Sequence, residues 1–145
     1  YHIMKRRKIR TMSRDDRWQQ RLQNLNRAYD CLARACETAP EDERQQAGIL
    51  HFFQMTFELC WKTLKDKLED EGIDVASPKE TIKKAFAIGL IQDAEPWLDA
   101  LLTRNIFTHA YNEEMAQLAL KRVMEVYLPM VRACVEHLNC LADDE

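Results

Sequence analysis

The sequence predicts an all-α protein, an up-and-down bundle of about five helices, and three observations carry that expectation. Apolar residues return every three or four positions through most of the 145-residue chain, the spacing of one buried helix face. Only three glycines and four prolines interrupt a chain rich in Leu, Ala, Glu, Lys, Arg and Gln, a composition that favours helix over sheet. No segment shows the period-two alternation of a strand hairpin, and there is neither an internal repeat nor a low-complexity linker.

The first helix starts at Asp15. Trp18, Leu22, Leu25, Tyr29, Leu32 and Cys36 follow one another in steps of four and three, which places them on one face. Pro40 with Glu41, Asp42 and Glu43 supplies the start of a second helix, with proline in its first turn and acids at the positive end of the dipole. Leu50, Phe53, Phe57, Cys60, Trp61, Leu64 and Leu68 form its buried stripe, and Gly72 stops it. Ser77-Pro78-Lys79-Glu80 is a capping box with proline at the first helical position. It opens a short helix holding Ile82, Ala85 and Phe86 that Gly89 closes. Asp93 can cap a fourth helix that tolerates Pro96 in its first turn and turns Trp97, Leu98, Leu101 and Leu102 inward. Asn112 before Glu113 and Glu114 has the form of a new start, so a bend is expected between Phe107 and Asn112. The last helix carries Met115, Leu118, Val123, Val126, Met130, Cys134, Leu138 and Leu141 inward, with a kink at Pro129, where one backbone hydrogen bond is lost.

A hydrophobic share of 46% over this length suffices for one real core, so a single helical domain over residues 15–145 is expected. No run of about 20 apolar residues could span a bilayer and no secretory signal is present, which predicts a cytoplasmic protein. Tyr1-His2-Ile3 ahead of Met4 has the character of an appended piece, with Met4 or Met12 as the natural start. Residues 1–14 carry Lys5, Arg6, Arg7, Lys8, Arg10 and Arg14 without an acid; they are expected to form a disordered, solvated leader, or alternatively a basic arm for RNA. The remainder has 15 basic against 24 acidic residues, a net charge of −9 behind the overall −3. That argues against phosphate-backbone binding over the whole surface, which needs clustered Lys and Arg. Any RNA site must be local, or built with a second copy or a partner.

Cys31, Cys36, Cys60, Cys134 and Cys140 are odd in number and lack C-x-x-C spacing, so reduced and mostly buried thiols are expected rather than metal ligands or disulfides. His51 and His137 have no ligand-type neighbour at helical spacing. No metal or other cofactor is expected. Trp18, Trp61 and Trp97 fall on apolar stripes and suit core packing better than base stacking. Glu69, Asp70 and Glu71 end a helix where the dipole disfavours acids, which suits a solvated turn or a partner's basic surface.

The segment that folding needs do not account for is Arg104-Asn105-Ile106-Phe107-Thr108-His109-Ala110-Tyr111. Arginine can clamp a phosphate with two donors, histidine can exchange a proton near neutrality, and a phenol can accept a transferred group. On one unbroken helix Arg104 and His109 would lie about 140° apart and share no face. They converge if the helix breaks between them, or if two protomers present the segment across a two-fold axis. The alternative is structural: Arg104 paired with an acid such as Asp99, with His109 and Tyr111 as half-buried bundle residues.

Phe57-Glu58-Leu59-Cys60-Trp61-Lys62-Thr63-Leu64, Ser77-Pro78-Lys79-Glu80, Ala85-Phe86, Gly89-Leu90-Ile91, Trp97-Leu98 and Arg104-Asn105 through His109-Ala110-Tyr111-Asn112-Glu113-Glu114 occur in an order that resembles the nucleotidyltransferase substrate-binding family of the HEPN superfamily, over about residues 18 to 141. The resemblance implies a homodimeric helical bundle made beside a separate minimal nucleotidyltransferase, as toxin and antitoxin. It implies a metal-independent endoribonuclease with Arg104 and His109 as the catalytic pair and Asn105 as the polar residue following the arginine. It also implies that Tyr111 lies at the substrate and is adenylylated by the nucleotidyltransferase, which silences the toxin. Some members of this branch are non-catalytic substrate-binding subunits, which is the alternative function. Lys62, Lys65 and Arg122 are the bases that a groove could gather for RNA.

Overall fold

A computed structural model describes the backbone of residues 14–109 and 112–144, and the side chains of residues 16–105 and 112–144. The expectations for residues 1–13 lie outside this range; Arg14, the last residue assigned to the leader, is instead the first residue of a helix. Among the described residues there is no strand. Helices α1 (Arg14–Ala35), α2 (Glu43–Asp70), α3 (Pro78–Ala87) and α4 (Glu95–His109) are followed by α5 (Glu113–Arg122), a π turn (Val123–Tyr127) and α6 (Leu128–Asp143). The last three run on without leaving helical backbone, so the bundle has five rods, as the periodicity predicted.

α2 is the central rod. Ile49, Leu50, Phe53, Phe57, Cys60, Leu64 and Leu68 are buried along it, against Trp18, Leu22, Leu25 and Leu32 of α1 and Val131, Val135 and Leu138 of α6. Asn26 and Asn139 exchange amide hydrogen bonds of 3.0 and 2.9 Å between α1 and α6. Lys67 Nζ lies 4.8 Å from the Trp18 ring centroid, so a buried cation faces an aromatic π-cloud.

The helix ends follow the sequence with small shifts. Asp42, not a first-turn residue beside Pro40, is the N-cap of α2; its carboxylate accepts from Gln45 N at 2.8 Å. Pro40 therefore precedes the helix. Gly72 and Gly89 have φ of +83° and +84° and close Schellman motifs: Ile73 N–H donates to Leu68 O at 2.9 Å, and Leu90 N–H to Ala85 O at 2.8 Å. Ser77 accepts from Glu80 N at 3.1 Å, while the Glu80 carboxylate reaches back to Ala76 N at 3.0 Å, one residue before the usual capping-box partner. Two glycine substitutions should move stability in opposite directions. Gly89→Ala is expected to cost about 1–2 kcal/mol because a Cβ disfavours the left-handed region. Gly48→Ala, inside α2 with nothing within 4 Å of the added carbon, should stabilise by about 0.5–1 kcal/mol. Urea midpoints of the two variants check both signs.

Three inward assignments are corrected. Phe86, Leu102 and Leu118 are 49%, 63% and 62% exposed, because each extends its helix's apolar pattern beyond the arc that a neighbouring rod covers. The expected kink at Pro129 takes the form of the π turn just before it. Leu128 N–H donates five residues back to Val123 O, and this widened turn advances the buried face by one residue. Tyr127 is fully buried while Val126 and Met130 are only partly so. The thiols are less uniformly buried than expected: Cys60 and Cys134 are buried, Cys31 and Cys36 half-buried and Cys140 exposed. Burial first, and then contact with Cys134, pushes the Cys60 thiol well above its ordinary pKa, so it stays protonated and inert.

Candidate functional site

α4 brings the distinctive segment to the surface. Its first turn is held where the Asp93 carboxylate accepts from Glu95 N at 3.1 Å. Trp97 and Ala100 anchor it in the core at 2% and 0% exposure, with the Trp97 ring 6.1 Å from that of Phe57 on α2. Seven residues after Trp97, two helical turns on, Arg104 rises on the same face. Its side chain is 25% exposed.

Arg104 is not paired with Asp99, as the structural alternative supposed. Its Nη1 donates to Glu58 Oε1 of α2 in a direct ion pair. The second oxygen of the same carboxylate, Oε2, accepts from Trp61 Nε1–H at 2.9 Å. Glu58 and Trp61 are three apart on one helix and so share a face. Trp61, expected in the core, is half-buried and turns its indole nitrogen to this site. Lys62, four residues after Glu58, is half-buried and forms no ion pair among the described residues. Lys65 is tied to Glu69, and Arg122 to Asp99.

Asp99 belongs to a second polar cluster, one turn earlier on α4. Its Oδ2 accepts from Tyr127 OH at 2.5 Å and from Arg122 Nε at 2.7 Å. Thr103, next to Arg104 in sequence, lies 2.9 Å from the Tyr127 hydroxyl. Burial, followed by the bond to Asp99, raises the Tyr127 pKa above its ordinary value, so the phenol remains a donor at neutral pH. Tyr127 also stacks on Phe53, with centroids 5.1 Å apart and an 18° interplanar angle. The π turn thereby fastens α4 to α2 immediately below Arg104.

The segment's remaining members are placed as follows. Asn105 is exposed on α4. His109 is the last residue of α4, which stays helical from Glu95; its side chain and the whole of Tyr111 lie outside the described residues. The helix therefore does not break between Arg104 and His109, and at Asn112 the backbone is extended. Asn112 caps α5 as predicted, its side chain accepting from Met115 N at 2.8 Å. Within one chain the backbone directs positions 104 and 109 about 140° apart around α4, with about 7.5 Å of rise between them.

The acids that end α2 do not form an exposed negative patch. Lys65 and Arg17 meet Glu69, and Lys67 meets Asp70 and Glu71. A groove of about 390 Å³ lies elsewhere, between the turn after α3 and α6, lined by Ile91, Pro96, Trp97, Met130 and His137 among others. Neither Arg104 nor Asn105 lines it. Among the described residues no helix is long and apolar enough to cross a membrane.

Comparison with known proteins agrees with the helical architecture. Residues 20–140 match the family described as "Nucleotidyltransferase substrate binding protein like". The chain is 32% identical over 75 residues to the protein named "Probable ribonuclease HepT" from Haemophilus influenzae, an alignment covering 48% of this chain and 51% of that one. The chain thus spans about half the length of that curated relative. A crystal structure of a protein from Thermus thermophilus superposes with a TM-score of 0.68 at 28% identity, covering 81% of this chain and 98% of that one.

Proposed function

Since the chain belongs to the nucleotidyltransferase substrate-binding family of the HEPN superfamily, we propose that it is a metal-independent endoribonuclease of the HEPN toxin type, controlled by a minimal nucleotidyltransferase antitoxin. The observation that carries this reading is the partly exposed Arg104 guanidinium, paired with Glu58, on the helix that ends in His109. Because one straight helix keeps the two positions apart, the working site is composite: two chains set α4 against α4 across a two-fold axis, and the arginine of one protomer meets the histidine of the other.

In that groove the His109 imidazole takes the proton of a ribose 2′-hydroxyl. The freed oxygen attacks the adjacent phosphorus, and the bond from phosphorus to the 5′ oxygen breaks. A 2′,3′-cyclic phosphate and a 5′-hydroxyl result, and the leaving oxygen takes a proton from the other protomer's protonated imidazole. Arg104 offsets the charge that builds on the non-bridging oxygens, with Asn105 beside it as a polar contact to substrate. Incubation of purified protein with RNA in excess chelator tests this: cleavage with cyclic-phosphate ends is expected, and intact RNA argues against it.

Tyr111, two residues from the proposed base, is the acceptor for AMP. Its hydroxyl attacks the α-phosphorus of ATP on the nucleotidyltransferase and pyrophosphate leaves. The added anion then occupies the groove and engages Arg104. Co-expression with the partner is expected to add one AMP mass to the wild type and none to Tyr111→Phe; equal masses would remove this part of the proposal.

A second reading, a non-catalytic subunit that presents an acceptor to the nucleotidyltransferase, draws on the neutralisation of Arg104 by Glu58 and of Arg122 by Asp99. Of Lys62, Lys65 and Arg122, Lys62 is then the one without an ion pair among the described residues. Retained binding of the nucleotidyltransferase with no cleavage by the wild type favours it.

A further inference from the structure

From the two hydrogen bonds that meet at one carboxylate, we infer that Glu58, itself anchored by Trp61, is the positioning residue that fixes the Arg104 guanidinium for phosphate. The inference rests on the nuclease reading above and adds to it the origin of the arginine's geometry. Arginine reaches the surface of α4 on a long side chain with several rotatable bonds, and holding such a chain in one rotamer carries an entropic cost. A preset rotamer removes that cost from the moment of reaction.

Glu58 supplies the constraint from a different helix. Oε1 holds Arg104 Nη1, and Oε2 is held by Trp61 Nε1–H at 2.9 Å. The carboxylate cannot turn without losing one of the two donors. Its backbone is equally fixed, because the neighbouring Phe57 is fully buried and packs on Trp97 of α4. The guanidinium is a planar fork of five N–H groups, so holding Nη1 against Oε1 narrows the directions in which the others point. Thr103, the residue before Arg104, is held by the Tyr127 hydroxyl at 2.9 Å, which restrains the backbone at the base of the same side chain.

Only a carboxylate meets both demands. Glutamine has one acceptor oxygen, and its amide nitrogen would face either Trp61 Nε1–H or Arg104 Nη1–H donor to donor. Glu58→Gln therefore keeps size and shape and loses one of the two bonds. Trp61→Phe leaves the Glu58–Arg104 pair and its charges in place and removes the second anchor. Both positions are partly exposed; Glu58→Gln leaves the packing as it is, while Trp61→Phe also trims a ring that packs against the core.

The test is steady-state cleavage of a short RNA in chelator by wild type, His109→Ala, Glu58→Gln and Trp61→Phe, with thermal melts of each and the affinity of each for the same RNA 2′-O-methylated throughout. Glu58→Gln is expected to lower kcat about tenfold to a hundredfold, with KM and methylated-RNA affinity within about threefold of wild type. Trp61→Phe should lower kcat in the same direction by about threefold to tenfold, measured well below its melting temperature so that lost packing does not contribute. A purely packing role would move melting and leave kcat alone. Wild-type cleavage that His109→Ala abolishes but Glu58→Gln leaves at full kcat overturns this inference and spares the nuclease reading. No cleavage by the wild type overturns both.

Discussion

Arg104→Ala is expected to lower RNA cleavage by at least about a hundredfold, the loss typical of removing one donor to a developing oxyanion, while the helices stay intact. Two consequences of the substitution add up. The guanidinium that offsets charge on the phosphate disappears, and Glu58 is left without its cation at a partly exposed site, where its carboxylate repels RNA. Stability should change much less, because side chains 25% and 31% exposed pair in a screened environment worth about 1 kcal/mol or less. Arg104→Lys separates the two contributions. It keeps a positive charge beside Glu58 but loses the planar fork, so it should recover part of the rate and most of the RNA affinity. Circular dichroism of both variants, beside their cleavage rates, checks that the loss belongs to the site and not to the fold.

Phe57→Ala should have the largest effect on stability, about 3–5 kcal/mol. Its ring is fully buried, 5.9 Å from Phe53 and 6.1 Å from Trp97, where the central rod meets α4. Against a total of about 5–15 kcal/mol for an ordinary domain, that is about a fifth of the margin or more, and the urea midpoint should fall accordingly. Phe86→Ala is the control. With 49% of its surface already exposed, the same truncation on α3 should cost less than about 0.5 kcal/mol. Equal losses at the two positions would contradict this packing.

The rods were legible because each is written in local chemistry. Gly72 and Gly89 end helices at positive φ, Ser77 and Asn112 cap them, and the stripe of Trp18, Leu22, Leu25 and Leu32 needs only the helical period to be found. The failures have local causes too. Leu102 and Leu118 continue a helical stripe, but how wide an arc a neighbour covers is a tertiary property. Tyr127 escaped because the π turn adds a residue between Val123 and Leu128 and moves the buried register off the three-and-four spacing.

The candidate site divides in the same way. Arg104 and His109 stand out as residue types that a core does not call for. Glu58, 46 positions from its arginine, could not be matched to it by spacing, and the sequence offered Asp99 as a nearer acid. Asp99 is instead taken by Arg122 and Tyr127. Glu58 and Trp61, three apart on the shoulder of an apolar helix, were the available signal, since that spacing lets the indole N–H hold one carboxylate oxygen and leave the other for a partner.

The most direct test of a shared Arg104–His109 site is a double-substitution cycle on RNA cleavage: wild type, Arg104→Ala, His109→Ala and the double variant, measured in chelator at matched fold content. Groups that act on one phosphodiester as a unit are strongly non-additive. Each single variant should lose about a hundredfold or more, and the double variant little beyond the worse of the two. A His109→Ala protein that cleaves at the wild-type rate, or two losses that simply multiply in the double variant, would contradict the site.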